Sequence, residues 1–354
     1  TPPPPPPLKI IGSQAVKGKT IMLRIAVLGA GRIGKIHAAN VATNPRTKLV
    51  VVADPWKEGV NALALQLGCE TAYDYASAIE RADVDAVLIG TPTEFHIELM
   101  LQAVRLGKPV ICEKPIDMDY ERAKAAVDEL ERLNGRVMLA FNRRFDPDYL
   151  RLRRAIDDGE IGVVRQVIIT SRDPALAARA YLETSGGIFR DMTIHDFDMA
   201  RSLLGEEPVE VFAVGNRLVD PTLESIPDYD SVMVLMRTAS GRQCHINCCR
   251  EAVYGFDQRL EVSGSKGMLL NENHRTNSVR RYGAEATDVA DPLLNFFLER
   301  HADSYKIELN SFLDAVENNS PMPATPRDGL RALRLANCAS ESAETGKIVS
   351  VGNH

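Results

Sequence analysis

The run Gly29-Ala-Gly-Arg-Ile-Gly34 constrains this chain more than any other stretch. Alone, a Gly-x-Gly-x-x-Gly match says little, because glycines are common. Here it follows the apolar segment Leu23 to Leu28, which reads as a strand, and opens Arg32 to Ala42, which reads as a helix. In that context each glycine serves a separate purpose. Gly29 makes the tight turn, Gly31 lets a pyrophosphate approach the backbone, and Gly34 lets helix and strand pack closely. The helix N-terminus then offers free N–H groups and a positive partial charge to phosphates. Asp54 stands 20 residues beyond Gly34, closing a second apolar strand, Lys48 to Ala53. A carboxylate there accepts hydrogen bonds from the adenosine ribose hydroxyls. Its charge would repel a 2′-phosphate, and Pro55 and Trp56 bring no cation to offset it, so NAD is favoured over NADP.

Strands at Asp85 to Gly90, Pro109 to Glu113 and Arg136 to Phe141 alternate with helices at Glu58 to Leu67, Glu94 to Leu106 and Tyr120 to Leu133. Gly68 and Gly107 stop the first two helices in the usual way. Such alternation implies right-handed crossovers and a parallel sheet covered on both faces. Residues 22–142 are therefore predicted to form a Rossmann dinucleotide-binding domain within an α/β protein. After Asn142 the pattern changes. A helix is expected at Asp148 to Asp157, a strand at Val163 to Thr170 and a helix from about Asp191 to Leu204. Glu210 to Leu270 is mostly alternating strands, including Ser231 to Arg237 and Arg242 to Arg250. Helices at about Leu293 to Val316 and Asp328 to Glu344 finish it. That predicts an α+β domain over 143–354 with a large, open, mostly antiparallel sheet. Residues 1–21, which include the proline run Pro2 to Pro7, read as a disordered extension outside the fold.

Composition narrows the function. The net charge is −6, and the first 22 residues hold three lysines and no acid, so the remainder is more acidic still. An acidic surface repels phosphate backbones, so nucleic acid is not the expected partner. No apolar run approaches the ~18 residues of a membrane span. Six cysteines in a chain of 354 residues are too few for a disulfide scaffold and suit a reducing, cytoplasmic setting. Cys244, Cys248 and Cys249 with His245 suggest a metal cluster at first sight. However, Gln243, His245 and Asn247 alternate with Cys244, Ile246 and Cys248 at the period of a strand, which sends the two sets to opposite faces. No metal is expected.

The remaining polar motifs fall at one sheet edge. Thr91 and Pro92 follow the fourth strand, and Glu113-Lys114-Pro115 closes the fifth, at the C-terminal edge where ligands of doubly wound folds sit. A lysine beside a nicotinamide would polarise a hydroxyl and stabilise developing alkoxide. Further on, Gly186-Gly-Ile-Phe-Arg-Asp191-Met-Thr-Ile-His195-Asp-Phe-Asp198 opens a helix. Asp191 and His195 are i and i+4, hence on one face. A histidine near its reference pKa of ~6.5 is a natural base for an alcohol proton. The same two residues also fit a helix cap with a packed histidine, or a facial metal pair, though no third ligand has matching spacing.

Taken together, GAGRIGKIHAAN at 29–40, EKP at 113–115 and GGxxxDxxxHDxD at 186–198 resemble the Gfo/Idh/MocA oxidoreductases across essentially 22–351. Within that family, FNRRFDP at 141–147, SRDP at 171–174 and DMTIHDFDMAR at 191–201 are most similar to inositol 2-dehydrogenases. The resemblance implies a catalytic group of Lys114, Asp191 and His195, with Pro115 often in a cis peptide. It implies cofactor contacts at Gly29, Gly31, Arg32, Ile33, Gly34, Asp54, Thr91, Pro92, His96, Glu113 and Lys114. Substrate contacts are implied at Lys114, Arg172, Asp173, Asp191, His195 and Tyr254. Some relatives carry asparagine where this chain has Asp173, which bears on how ring hydroxyls are bound. The implied reaction is NAD-dependent oxidation of a ring hydroxyl of a cyclic polyol, myo-inositol to its 2-ketone. Rival readings are an enzyme for scyllo-inositol or an aldose, and a non-catalytic dinucleotide or sugar sensor. A homotetramer built through the open face of the C-terminal sheet is also implied.

Overall fold

The computed structural model describes residues 22–352, so the expected extension over 1–21 lies outside the described residues. The chain opens with β1 (Leu23–Leu28), α1 (Arg32–Thr43), β2 (Thr47–Ala53) and α2 (Lys57–Leu67). It continues through β3 (Glu70–Ala72), α3 (Tyr75–Glu80), β4 (Ala86–Ile89), α4 (His96–Arg105), β5 (Val110–Glu113), α5 (Tyr120–Arg132) and β6 (Val137–Ala140). The strands form one sheet in the order β3-β2-β1-β4-β5-β6, every pair parallel. That is the doubly wound order, with its reversal between β1 and β4. β4, β5 and β6 are buried at every residue, which is why they read as unbroken apolar runs. The short β3 and α3 carry too few residues to show a period and are not legible in the sequence.

Beyond Asn142 come α6 (Pro147–Asp157), β7 (Val164–Arg172), α7 (Arg179–Leu182), α8 (Ile188–Asp191) and α9 (Thr193–Leu204). Strands β8 (Pro208–Asn216), β9 (Ser231–Thr238), β10 (Gln243–Cys249), β11 (Asp257–Gly264) and β12 (Met268–Asn271) follow. The small pair β13 (Arg280–Arg281) and β14 (Val289–Ala290) leads to α10 (Phe297–Arg300), α11 (Ala302–Glu317), α12 (Pro326–Thr345) and β15 (Val349–Ser350). The second sheet runs β12-β11-β7-β10-β9-β8-β15 and is antiparallel except where β10 meets β7. Its inner face, with Val167, Ile169, Val234, Cys244, Ile246, Cys248 and Val262, is buried against α9 and α12. The alternation read from the sequence holds: Cys244 and Cys248 point inward, and His245 lies on the outer face with Ile168, Met233 and Leu235.

Two helices differ from expectation in ways that matter. The helix expected from about Leu293 begins only at Phe297, makes one turn, and restarts at Ala302. From there α11 turns back to the first sheet, where Leu309, Phe312 and Leu313 share a core with Ile25, Val27, Val41 and Met138. The helix expected as continuous from Asp191 is instead broken at Met192, so Asp191 ends α8 and His195 lies in the first turn of α9. The His195 N–H donates to the Met192 carbonyl at 3.3 Å rather than to Asp191. The Asp191 carbonyl freed by that break accepts from Lys114 Nζ at 2.7 Å.

Candidate active site

The glycine turn is built as its residue types require. Gly29 has φ +104°, and a Cβ there would fall 2.4 Å from the Gly90 carbonyl oxygen. A Cβ on Gly34 would fall 2.0 Å from the Gly29 carbonyl, so that contact admits only hydrogen. By contrast, a Cβ on Gly31 would meet nothing within 4 Å: the space beside it is open. α1 starts there without a side-chain cap, leaving its first N–H groups for a ligand. Asp54 closes β2 and accepts the Ala30 and Trp56 N–H groups, each at 2.7 Å, one on each oxygen. Its carboxylate is thereby fixed beside the loop. Lys57, the nearest cation in sequence, sits over the Tyr73 ring at 5.2 Å. These features fit a dinucleotide whose ribose meets a carboxylate.

The other expected cofactor residues divide. Thr91 and Pro92 lie at the C-terminal edge as expected, and Ile33 stands in the first turn of α1. Arg32, also in that turn, stacks over Phe296 at 5.8 Å. His96 departs from expectation: it is buried with its ring nitrogens 2.7 Å and 3.0 Å from the carbonyls of Pro115 and Thr91. It fastens the loop after β4 to the loop after β5 and has no free nitrogen for a ligand. Glu113 is buried and lies 2.8 Å from His37 Nε2, a partner supplied by α1. The Lys114–Pro115 peptide is cis.

Lys114, Asp191 and His195 are brought together by the loop after β5 and the broken helix. Lys114 Nζ lies 3.6 Å from Asp191 Oδ1, and their side chains keep 17% and 10% of their surface exposed, enough to meet a ligand. Asp191 has two further partners that sequence reasoning missed. Tyr181 donates to its Oδ1 at 2.7 Å, and Arg250 donates to its Oδ2 at 3.1 Å. Burial pushes the Asp191 carboxyl up, but Lys114, Arg250 and the Tyr181 hydroxyl outweigh it and hold it below the usual range. The sequence did hold one signal for Arg250. It continues the inward phase of Cys244, Ile246 and Cys248, and an arginine in a buried phase requires a carboxylate.

His195 corrects another expectation. Burial first, then the charges of Lys114 and Arg143 and the neighbouring His301, hold its pKa well below 6.5. The ring is therefore neutral, and its Nδ1 is buried with no partner among the described residues. Phe141 packs edge-on at 5.9 Å. Asp173 faces the same group of charges. Burial and the nearby Asp191 raise its pKa to about 6, although Arg143, Arg250 and Lys114 pull it back, and its carboxylate has no hydrogen-bond partner among the described residues. Arg172 and Tyr254 depart from expectation. Ser171 points inward to Arg143, so Arg172 points outward, where it donates to Asn247 at 3.1 Å and to the Tyr254 hydroxyl at 2.9 Å. Tyr254 in turn donates to Asp257 at 2.6 Å. Within one chain this pair lies across the sheet from Lys114 and Asp191.

Residues 23–141 match the oxidoreductase family with an NAD-binding Rossmann fold, and residues 149–270 match the GFO/IDH/MocA C-terminal domain. The chain belongs to the GFO/IDH/MocA oxidoreductases. An inositol 2-dehydrogenase of Rhizobium meliloti (strain 1021) is 46% identical over 330 residues, 93% of this chain and 99% of the relative. The crystal structure of a myo-inositol dehydrogenase from Corynebacterium glutamicum matches with TM-score 0.91 at 45% identity, covering 94% of this chain and 100% of that one. A scyllo-inositol dehydrogenase from Lactobacillus casei, solved with NAD(H) and scyllo-inositol, matches with TM-score 0.87 at 31% identity over 93% of this chain and 99% of that one.

This GFO/IDH/MocA member is thus an oxidoreductase whose cofactor is NAD. Asp54→Ala is expected to weaken NAD binding by ~1.5–3 kcal/mol, the range for hydrogen bonds to a charged group. It should also narrow the preference for NAD over NADP, because the repelling charge is gone. Trp56 is the chain's single tryptophan and its backbone N–H donates to Asp54, so its fluorescence reports both titrations. Equal dissociation constants in wild type and variant would show that Asp54 serves the loop alone.

Proposed function

We propose that the chain oxidises one ring hydroxyl of an inositol, with myo-inositol giving the 2-ketone (scyllo-inosose) as its main reaction. The observation that carries this is the meeting of Lys114, Asp191 and His195, from two halves of the sequence, beside a dinucleotide cradle. The myo-inositol preference is supported by the 45% identity to the Corynebacterium glutamicum enzyme, against 31% for the scyllo-inositol enzyme.

Residues 22–142 hold the cofactor, through the turn at Gly29, Gly31 and Gly34 and through Asp54, and residues 143–354 supply most of the substrate pocket. Bound NAD supplies the hydride acceptor. His195 Nε2 takes the proton of the reacting hydroxyl; a ring that stays neutral well below pH 6.5 is always in the accepting form near neutrality. Lys114 Nζ donates to the same oxygen and stabilises its charge as the proton leaves. Asp191 accepts from a neighbouring hydroxyl. Asp173, whose carboxylate has no hydrogen-bond partner among the described residues, accepts from another. Sites built to hydrogen-bond hydroxyls reject analogues that lack them, which suits a polyol. NADH formation across a panel of inositol isomers and aldoses tests this; turnover confined to aldoses, or with none of them, would overturn it.

The outer face of the second sheet exposes Ile168, Val214, Met233 and Leu235 at 38–53%. A second copy of the chain would cover that face, and two such pairs would make the tetramer. The cysteines are all free, which suits a cytoplasmic setting. No helix among the described residues is long and apolar enough to cross a membrane.

Asp173 makes its own prediction. An unfolded aspartate loses its proton near 3.9, while the folded one keeps it to about 6. The folded state therefore loses stability as pH rises from the lower value to the higher, and the loss persists above. Asp173→Asn should raise the melting temperature by a few degrees above pH 6 and leave it unchanged well below pH 4. It should also raise the KM for myo-inositol above pH 6, where wild type has the stronger acceptor. A melting difference independent of pH would refute this account of the residue.

A further inference from the structure

Arg250 and Asp228 touch none of the groups assigned to substrate or cofactor except Asp191, yet both are almost fully buried, at 2% and 3% exposure. Arg250 follows β10, where its own N–H donates to the Asp230 carbonyl at 2.8 Å. One arm of its guanidinium reaches Asp191 Oδ2 at 3.1 Å and the other reaches Asp228 Oδ2 at 3.0 Å. The second oxygen of Asp228 accepts the Ile188 and Tyr229 N–H groups, each at 2.7 Å. Ile188 begins α8 and Asp191 ends it. Both ends of this one-turn helix are therefore fastened to a single arginine–carboxylate pair. The turn cannot slide or rotate without breaking charge-assisted bonds in a buried setting, where leaving one partner unpaired is costly.

We propose that Arg250, braced by Asp228, is a positioning residue that sets both the orientation and the charge of Asp191. This rests on the reading of Asp191 and Lys114 as parts of the reaction site. The fixed carboxylate holds Lys114 in turn, because Lys114 Nζ bonds the Asp191 carbonyl and lies beside its Oδ1. Two carboxylates, Asp191 and Asp228, are balanced by two cations, Arg250 and Lys114. Without Arg250, Lys114 would be the cation left beside Asp191 and would be drawn away from the substrate oxygen. The groups that face Asp191 from its surroundings are Lys114 after β5, Asp173 after β7, Tyr181 in α7 and Arg250 after β10. Arg250 draws down the carboxyls of both Asp191 and Asp173, so its loss moves both the same way, upward.

The test uses the full chain in three forms: Arg250→Met, the double variant Arg250→Met with Asp228→Asn, and Arg250→Lys. The double variant removes both buried charges together and keeps their volume, so it is the one expected to fold best. For the folded variants, NADH affinity by Trp56 fluorescence should match wild type, since the cradle is untouched. The value of kcat/KM for myo-inositol should fall on the order of 100-fold in both methionine variants. The acid limb of its pH profile should move up by about one unit. Arg250→Lys keeps a cation near Asp191 but not the fork, so it should restore the pH limb and only part of the rate. Two results would overturn the proposal: a folded double variant with wild-type kcat/KM, or one whose rate falls while the acid limb stays in place. Should neither methionine variant fold, a lysine variant with wild-type rate would do the same. Asp191→Asn, run in parallel, keeps the cases apart: wild-type turnover there would refute the underlying reading of the site, whatever Arg250 does.

Discussion

His195→Ala is expected to lower turnover on myo-inositol by on the order of 10²–10⁴, the usual worth of a positioned general base. NAD affinity should barely change, because the cradle at Gly29–Gly34 and Asp54 makes no contact with this ring. The deficit should shrink as pH rises, since hydroxide then takes over part of the work of the missing base. The shape of the wild-type profile carries a second expectation. Burial, Lys114, Arg143 and His301 keep the imidazole neutral well below 6.5, so no loss of activity from protonating His195 should begin at that pH. A folded alanine variant with near-normal turnover would make His195 a packed helix residue and no more.

Lys114→Ala should cost a comparable factor, on the order of 10²–10³, because the developing alkoxide loses its donor. Two structural bonds go with it. The Asp191 carbonyl, freed by the break at Met192, loses its 2.7 Å partner, and the Asp191 carboxylate loses a cation at 3.6 Å. KM for the polyol should therefore rise as well as kcat fall. Arg250 still holds Asp191, so the carboxylate stays ionised and the fold survives. Lys114→Arg should not rescue, since a planar fork does not reproduce a compact ammonium that meets both a carbonyl and a substrate oxygen. Unaltered kcat in either variant would remove Lys114 from the mechanism.

Most of the first domain is legible in the sequence because its strands are buried on both faces and its helices carry clear stops such as Gly68. The glycine turn is legible because each of its positions answers a separate steric demand. What escapes does so for physical reasons. The break at Met192 is invisible to periodicity, since α8 and α9 together keep a helical spacing; it is fixed by a lysine 77 residues earlier taking the carbonyl. The family resemblance implies a cofactor contact at His96, and only tertiary contact shows both nitrogens committed to backbone. The motif around Arg172 points it at substrate, whereas the alternation of β7, with Ser171 inward, already sends it outward. Tyr181 stands in a four-residue helix, too short to announce which way it faces. The depression of the His195 pKa comes first from its burial and then from Lys114, Arg143 and His301, three separate segments that no local pattern brings together.

The return of α11 to the first sheet has a consequence for synthesis. Leu309, Phe312, Leu313 and Ala324 complete a core whose other walls are β1, α1 and β6. A ribosome emits those walls first and must then make more than 150 further residues before the last wall emerges. Until then the nascent nucleotide-binding half carries an uncovered apolar face, the kind of surface that chaperones bind and that drives aggregation. Its maturation is therefore timed by the chain's last helices rather than by its own end at Phe141.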